Sequence, residues 1–465
     1  MTADPEFDQL EWPWRLGRPV RPQQTRIRRH PPRNGRVSFA AAFDMREGSS
    51  LLLPEDSSGE RPAHRLTSEA HDRGGSVPIR VEYRTLDPLA PLPTDVLAAI
   101  HFGPRQPQAA SRWYGPALEI DVGLLPLQQP APTELWFSRG PVRSGRAGSV
   151  RYACDDHFMF AVIEEPESAH SGICAASEAV YTALRRFQER SPFPHLLRIW
   201  NYLDGINEGT GDMERYRQFC VGRARGLSLE ETSAAAGENG VSLRHYPAAT
   251  GIGHQRRTHH VQVFWLAARH PGIAIENPRQ VSAYRYPRIH GPVSPHFSRA
   301  TLAADGTLLV SGTASIVGHA SRHHDDALAQ TEEILRNLTE LRAQANAWAN
   351  ERADEPAKES ANEAGVGSVH AAADPDAPVR AGPEPEYASR SSQDLMKVYL
   401  RDPALLTPVA THLRRSWPGH QILFLAGDIC RRELLLEIEG IQPSTRNSRV
   451  PDPHAAEDHS CRAGV

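Results

Sequence analysis

One order of local patterns occurs twice in this 465-residue chain, short strand-like runs followed by an amphipathic helix, and it limits the folds available. Val77–Arg84, Ala117–Leu124, Glu134–Phe137 and Phe158–Ile163 are short apolar or alternating runs that read as strands. A helix is expected after them at about 168–190, where Ile173, Ala176, Val180, Leu184 and Phe187 recur at three- and four-residue intervals. The order then returns. His260–Leu266 and Gln280–Tyr286 read as strands, and Ala300–Val317 as a hairpin turning at Asp305-Gly306. A long helix over about 325–350 follows, with Leu328, Ile334, Leu335, Leu338, Leu341 and Trp348 on one stripe. A sheet and a one-sided helix each bury an apolar face only against another layer, so the pattern predicts an α+β class: two paired domains, mixed sheets, helices packed on one face.

Three stretches break the pattern. Residues 1–75 are rich in Arg, Pro, Gly and Ser, including Arg26-Ile-Arg-Arg-His-Pro-Pro-Arg33, and read as a flexible arm. Residues 351–392 lose all periodicity and fill with Ala, Glu, Asp, Pro, Gly and Ser, the composition of a disordered insertion. Residues 442–465 read as a flexible tail. Between them, 76–240 is expected as the N-terminal domain and 241–350 as the first part of the C-terminal one. Residues 393–441 complete the latter with strands at Leu395–Leu400, Gln421–Ala426 and Glu433–Ile441 and a short helix near Pro408–Ser416.

A formal charge of -4 gives no global basic field, so neither nucleic acid nor an anionic membrane is expected as a partner. Lysine occurs only at Lys358 and Lys397, while arginine supplies the remaining basic charge. No Walker loop or Schiff-base chemistry is expected, whereas the planar fork of arginine suits a di-acid ligand. Five dispersed cysteines without a CxxC pair fit a reducing compartment, and no leader or membrane-length apolar run is read, so a cytoplasmic location is expected. The histidines at His254, His259 and His260, and at His319, His323 and His324, lack a metal-ligand spacing, and no metal is expected.

The last expected strand is unusual. Alternation places Glu433, Leu435, Glu437 and Glu439 on one side and Leu434, Leu436 and Ile438 on the other. Glu437, set among apolar residues, is a candidate for a partly buried carboxyl with a raised pKa, against the default of a solvated surface acid. Tyr246-Pro-Ala-Ala-Thr-Gly-Ile-Gly253 reads as a small-residue loop, either a tight turn or a pocket floor.

Several long blocks then carry a family resemblance. Leu197-Arg-Ile-Trp-Asn-Tyr-Leu-Asp-Gly-Ile-Asn-Glu208, Glu214-Arg-Tyr-Arg-Gln-Phe-Cys-Val-Gly-Arg-Ala224, Tyr246–Gly253, Glu276–Arg288, Ser311–His319 and Gly427–Glu439 resemble the chorismatase family, in order, over most of residues 110–345 and 393–440. The resemblance implies two RidA-like (chorismate-mutase-like) domains in one chain with the site in a cleft, chorismate as substrate and no cofactor. A monomer with internal pseudo-symmetry is expected. It also implies Glu437 as the acid that protonates the enolpyruvyl group, its pKa raised by Leu436 and Ile438 or by Glu439. Gly251 together with Cys430 resembles the branch that forms 3-hydroxybenzoate and pyruvate, with Cys430 assisting; the other branch hydrolyses chorismate to a dihydroxycyclohexadiene carboxylate. Arg151, Tyr216, Arg217, Tyr284 and Arg285 lie in or near matching blocks and are candidates for gripping the carboxylates and ring hydroxyl. A relative that binds an aromatic acid without turnover is the alternative from another class. Positions 430 and 437 have opposite parity, so either Cys430 precedes the strand or a bulge separates them.

Overall fold

The computed structural model describes residues 79–87, 90–103, 115–228, 246–254, 259–354 and 394–442. The expected arm, nearly all of the expected insertion and the tail beyond Gln442 lie outside the described residues.

The first part of the described chain builds a small sheet from β1 (Val81–Arg84), β2 (Val96–Phe102), β3 (Leu118–Val122) and β5 (Thr133–Phe137), in the order β1-β5-β2-β3. A six-stranded sheet follows. It comprises β6 (Arg143–Ala147), β7 (Val150–Cys154), β8 (Phe158–Pro166), β9 (His195–Asp204), β10 (Ala248–His254) and β11 (His260–Ala268), ordered β10-β9-β11-β8-β7-β6. Helices α1 (Ile173–Arg190) and α2 (Arg215–Gly226) pair with each other, and α1 lies on this sheet, burying Ala176, Val180, Leu184 and Phe187. These are the positions whose spacing predicted the helix.

The seven-stranded sheet contains β4 (Leu125–Pro126), β12 (Ile273–Ile275), β13 (Ala300–Leu302), β14 (Leu308–Thr313), β17 (Leu395–Leu400), β18 (Gln421–Ala426) and β19 (Leu436–Gln442). Its order is β12-β13-β14-β19-β17-β18-β4. A separate two-stranded ribbon joins β15 (Ile316–Val317) to β16 (Ala320–Ser321). Helices α3 (Ala327–Asp354) and α4 (Leu406–Ser416) cover one face, where Ile334, Leu335, Leu338 and Leu341 pack with Met396, Val398, Leu436 and Ile438. The opposite face meets the six-stranded sheet, with Trp200, Tyr202, Ile252 and Phe264 packed in one core with Tyr399, Leu423, Leu425 and Ile441. The α+β class with mixed sheets and helices on one face is therefore as expected. No helix among the described residues is long and apolar enough to cross a membrane.

Four local expectations change. Strands β10 and β11 pair with β9 and β8, so the six-stranded sheet runs on to Ala268, past residue 240, while β4 from the first part of the chain joins the seven-stranded sheet. The Tyr246–Gly253 segment is mostly strand β10, held parallel to β9. Gln280–Tyr286 is no strand but contains a 3-10 turn at Ala283–Arg285, in a stretch flanked by Pro278 and Pro287, which lack the amide donors of a ladder. Leu328 and Trp348 are exposed, because α3 outruns the sheet that its central leucines cover.

One buried ionic chain links the sheets. The Glu439 carboxylate has Oε1 2.8 Å from Lys397 Nζ and accepts 2.9 Å from Trp200 Nε1; Oε2 accepts 2.8 Å from Arg198 Nη2. Lys397 Nζ lies 2.8 Å from Glu134 Oε2, and Glu134 Oε1 accepts 2.7 Å from Trp136 Nε1. Burial alone would push the Lys397 pKa down, but Glu134 and Glu439 hold it well above the usual lysine value. Two cations and two carboxylates balance, which is what makes their desolvation tolerable. Lys397→Met leaves two buried carboxylates without their shared cation, and the denaturant midpoint should report a loss of about 3–5 kcal/mol. Restoring the balance with Glu134→Gln in the same chain, which leaves Glu439 paired with Arg198, should recover much of that loss; an unchanged midpoint for Lys397→Met would show that the chain of charges does not stabilise the sheet pair.

Candidate active site

Where β9, β10, β14 and β19 approach one another, a cavity of about 290 Å³ opens, near the lower end of small-molecule pockets. Asn201, Thr250 and Gly251 line it from the six-stranded sheet, and Gly312 and Glu437 from the seven-stranded one. Helix α2 supplies Tyr216, Arg217, Phe219 and Arg223; the loop after β12 supplies Tyr286, His290, Phe297 and Arg299. Cys430 and Arg431 close another side.

Glu437 and Glu439 share one face of β19, as alternation requires, with cross-strand partners Tyr399 and Lys397. The pairing of β14 with β19 shifts between Val310 and Thr313, and Gly312 lies in that irregularity. A Cβ at Gly312 would stand 1.8 Å from Glu437 Oε1, so only glycine leaves room for the carboxyl. Thr250 ties the region together. Its Oγ1 accepts 2.9 Å from the Gly312 amide and 2.5 Å from Arg198 Nη2, and donates 2.5 Å to Glu439 Oε2.

The two carboxyls on this face diverge electrostatically. Burial raises Glu437, the charge of Glu439 raises it further, and the more modest pull of Arg198 and Arg299 leaves it at about 8. Burial also acts on Glu439, but Lys397 and Arg198 outweigh it and hold that group at about 2. At neutral pH the pair is therefore one carboxylate and one carboxylic acid. Of the two expected causes, Leu436 and Ile438 pack on the helix-covered face, opposite to Glu437, whereas burial and Glu439 raise its pKa.

The parity difficulty resolves because Cys430 precedes β19. It follows a short bridge in which Gly253 and Asp428 exchange backbone hydrogen bonds of 2.8 and 2.9 Å. Burial, then the proximity of Glu437, pushes the Cys430 thiol up to about 12, so it is a neutral donor rather than a thiolate. Gly251, Cys430, Glu437, Tyr216 and Arg217 thus line one cavity.

Three other candidates do not line it. Arg151 sits on β7 opposite Val162 and donates 3.3 Å to the Glu119 carbonyl. Tyr284 packs its ring 5.2 Å from that of Tyr246, and Arg285 lies over Tyr284. The 3-10 turn breaks the strand alternation assumed for this segment, and Tyr286 lines the cavity instead.

Sequence reading passed over several lining residues. Arg223 and Gly312 lie within the matching blocks but carried no pattern of their own, and Arg299 lies outside every block. Arg223 donates 2.8 Å to the His296 carbonyl, Arg299 donates 2.8 Å to Val281 O and 2.7 Å to Tyr286 Oη, and Arg431 donates 2.9 Å to His319 O. Neutral oxygens orient these guanidinium groups around the cavity, an arrangement suited to an anionic ligand. His290, 3.0 Å from His319 across their ring nitrogens, is lowered to about 4 by burial, then by Arg431 and His319, and is neutral at pH 7. Among the described residues, no group of three or more His, Cys, Asp or Glu side chains could hold a metal ion.

Comparison with known proteins places this geometry in a family. Residues 134–267 match the model of the chorismatase FkbO/Hyg5-like N-terminal region. A chorismatase of Streptomyces rapamycinicus is 34% identical over 319 residues, spanning 66% of this chain and 81% of the relative. A 3-hydroxybenzoate synthase of Streptomyces hygroscopicus is 31% identical over 336 residues, spanning 70% of this chain and 85% of the relative. A crystal structure of a chorismatase superposes with a TM-score of 0.58 at 28% identity, covering 79% of this chain and 100% of the other. With 34% and 31% identity over most of each relative's length, this chain belongs to the chorismatase family.

Proposed function

We propose that this protein converts chorismate to 3-hydroxybenzoate and pyruvate, with Glu437 as the general acid. The observation that carries the reading is a carboxyl that burial keeps neutral to about pH 8, in the wall of a cavity ringed by arginines. Arg217, Arg223, Arg299 and Arg431 grip the two carboxylates, and Tyr216 and Tyr286 offer hydroxyls to the ring substituents. Arg151, Tyr284 and Arg285 take no part in this assignment.

Glu437 delivers its proton to the methylene carbon of the enolpyruvyl ether, and positive charge develops at the ether carbon. The neighbouring ring hydroxyl then displaces the activated ether, forming an epoxide and releasing pyruvate. Opening of the epoxide and loss of a ring proton give the phenol. The proton lost by the ring hydroxyl balances the one given by Glu437, so no water, metal or redox cofactor enters the sum. Gly251 and the neutral Cys430 thiol beside the acid favour this internal displacement over attack by water: a Cβ at Gly251 would stand 3.6 Å from the Tyr216 ring and narrow the cavity.

Glu437→Gln should keep the fold and lose about 10²–10⁴-fold in turnover, with pyruvate release from chorismate as the assay. Gly312→Ala should displace the carboxyl and cost about 10²-fold. Separation of the aromatic acid from the dihydroxy diene reads the product; the diene alone would overturn the branch, and no pyruvate would overturn the reaction. Because the acid form is the active one, kcat should be level below pH 8 and fall above it. The sign for stability is the same. A carboxyl raised from 4.5 to about 8 favours the folded state below the unfolded value and disfavours it by about 3 kcal/mol at pH 7. Glu437→Gln should therefore melt above the wild type at pH 7, and a lower melting temperature would count against a neutral, buried acid.

A further inference from the structure

The solvent side of the cavity is formed by half-buried Glu214, Arg217 and His290 and exposed Arg432, whereas Asn201, Thr250, Arg223 and Glu437 are buried at its floor. Two short 3-10 turns flank that opening, Gly211–Met213 ahead of α2 and Arg288–His290. Between them Arg288 holds Asp212 with both forks, Nη1 to Oδ1 at 2.9 Å and Nη2 to Oδ2 at 2.5 Å. The second cation near Asp212 is Arg217, whose Nη1 lies 4.0 Å from Oδ1, at the limit of an ion pair. The stem of Arg217 also rests on the same loop: a Cβ at Gly291, whose φ is +151°, would meet Arg217 Cγ at 3.4 Å.

An aspartate at the opening of a site for a di-anion is unfavourable unless its charge is masked. It is also a competitor, since its Oδ1 already lies 4.0 Å from Arg217 Nη1 and a closer pair would hold that arginine outward. Glu214 and Glu433 also line the cavity, and Glu433 accepts 2.7 Å from Ser321 Oγ.

We propose that Arg288 is a positioning residue for the substrate: by occupying both oxygens of Asp212 it leaves the Arg217 guanidinium free to receive a substrate carboxylate. The role is indirect, since Arg288 does not line the cavity, and it rests on the assignment of chorismate as ligand and Arg217 as one of its anchors. The substrate carboxylate held by Arg217 is bound alike in the ground state and the transition state, so the effect belongs in KM and not in kcat.

The test is a double-mutant cycle with chorismate as the probe, read both as KM for pyruvate release and as an equilibrium dissociation constant. Arg288→Gln should raise KM and the dissociation constant about fivefold with kcat unchanged, as Asp212 turns to Arg217. Asp212→Asn added to Arg288→Gln should return both constants to near the wild-type values, and the single-variant defect should shrink in high salt. A double variant as impaired as Arg288→Gln alone would overturn the proposal, since Arg288 would then act on the substrate or the loop directly. An Arg288→Gln protein with wild-type constants would overturn it as well. Chorismate that binds with this pattern but is not turned over would contradict the reaction and leave the positioning role standing; chorismate that does not bind at all would overturn both.

Discussion

The structure depends on the place of one carboxylate, that of Glu439 between Lys397 and Arg198. These cations are buried with it, and Glu134 completes the balance. Because Glu439 holds them, Glu437 two positions away on the same strand face is left buried beside a negative charge and keeps its proton. Two chemically identical side chains are driven to opposite protonation states by which of them takes the cations, a general way of assigning acid and base roles within one site. The same chain of charges joins the inner faces of the two larger sheets, so the stability of the sheet pair and the protonation of the acid have a common origin.

Backbone geometry then decides what the neutral carboxyl can reach. The irregularity in β14 and the missing side chain at Gly312 open the wall in front of Glu437. Gly253 lets β10 meet the Asp428 segment, where a Cβ would stand 2.5 Å from Ile206 and 2.9 Å from Asp428. That contact carries Cys430 to the cavity from outside the strand. Oriented arginines surround the acid, and their positive field favours a dianionic ligand while burial and the charge of Glu439 keep them from ionising Glu437 at neutral pH.

Much of this was legible in the amino-acid order. The helix at 173–190 follows its three- and four-residue spacing, the hairpin turns at Asp305-Gly306, and alternation along the last strand put Glu437 and Glu439 on one face. The motif blocks brought Gly251, Cys430 and Glu437 to attention together. What stayed hidden depends on contacts between segments far apart in the chain. Lys397 carried no signal beyond the scarcity of lysine, and the register that sets it opposite Glu439 gives it a role. Arg299 bears no periodic signature, since it reaches the cavity from an irregular loop. The 280–286 segment alternates like a strand but is bounded by prolines and turns, which moved the lining residue from Tyr284 to Tyr286.

The central claim is that Glu437 is a carboxylic acid at neutral pH. Infrared difference spectra of protein labelled with ¹³C-carboxyl glutamate, wild type against Glu437→Gln, observe that carboxyl directly. The account predicts a protonated-carboxyl carbonyl band at pH 7 that belongs to Glu437 and disappears with a midpoint near 8. A Glu437 signal already in the carboxylate form at pH 6 would contradict it.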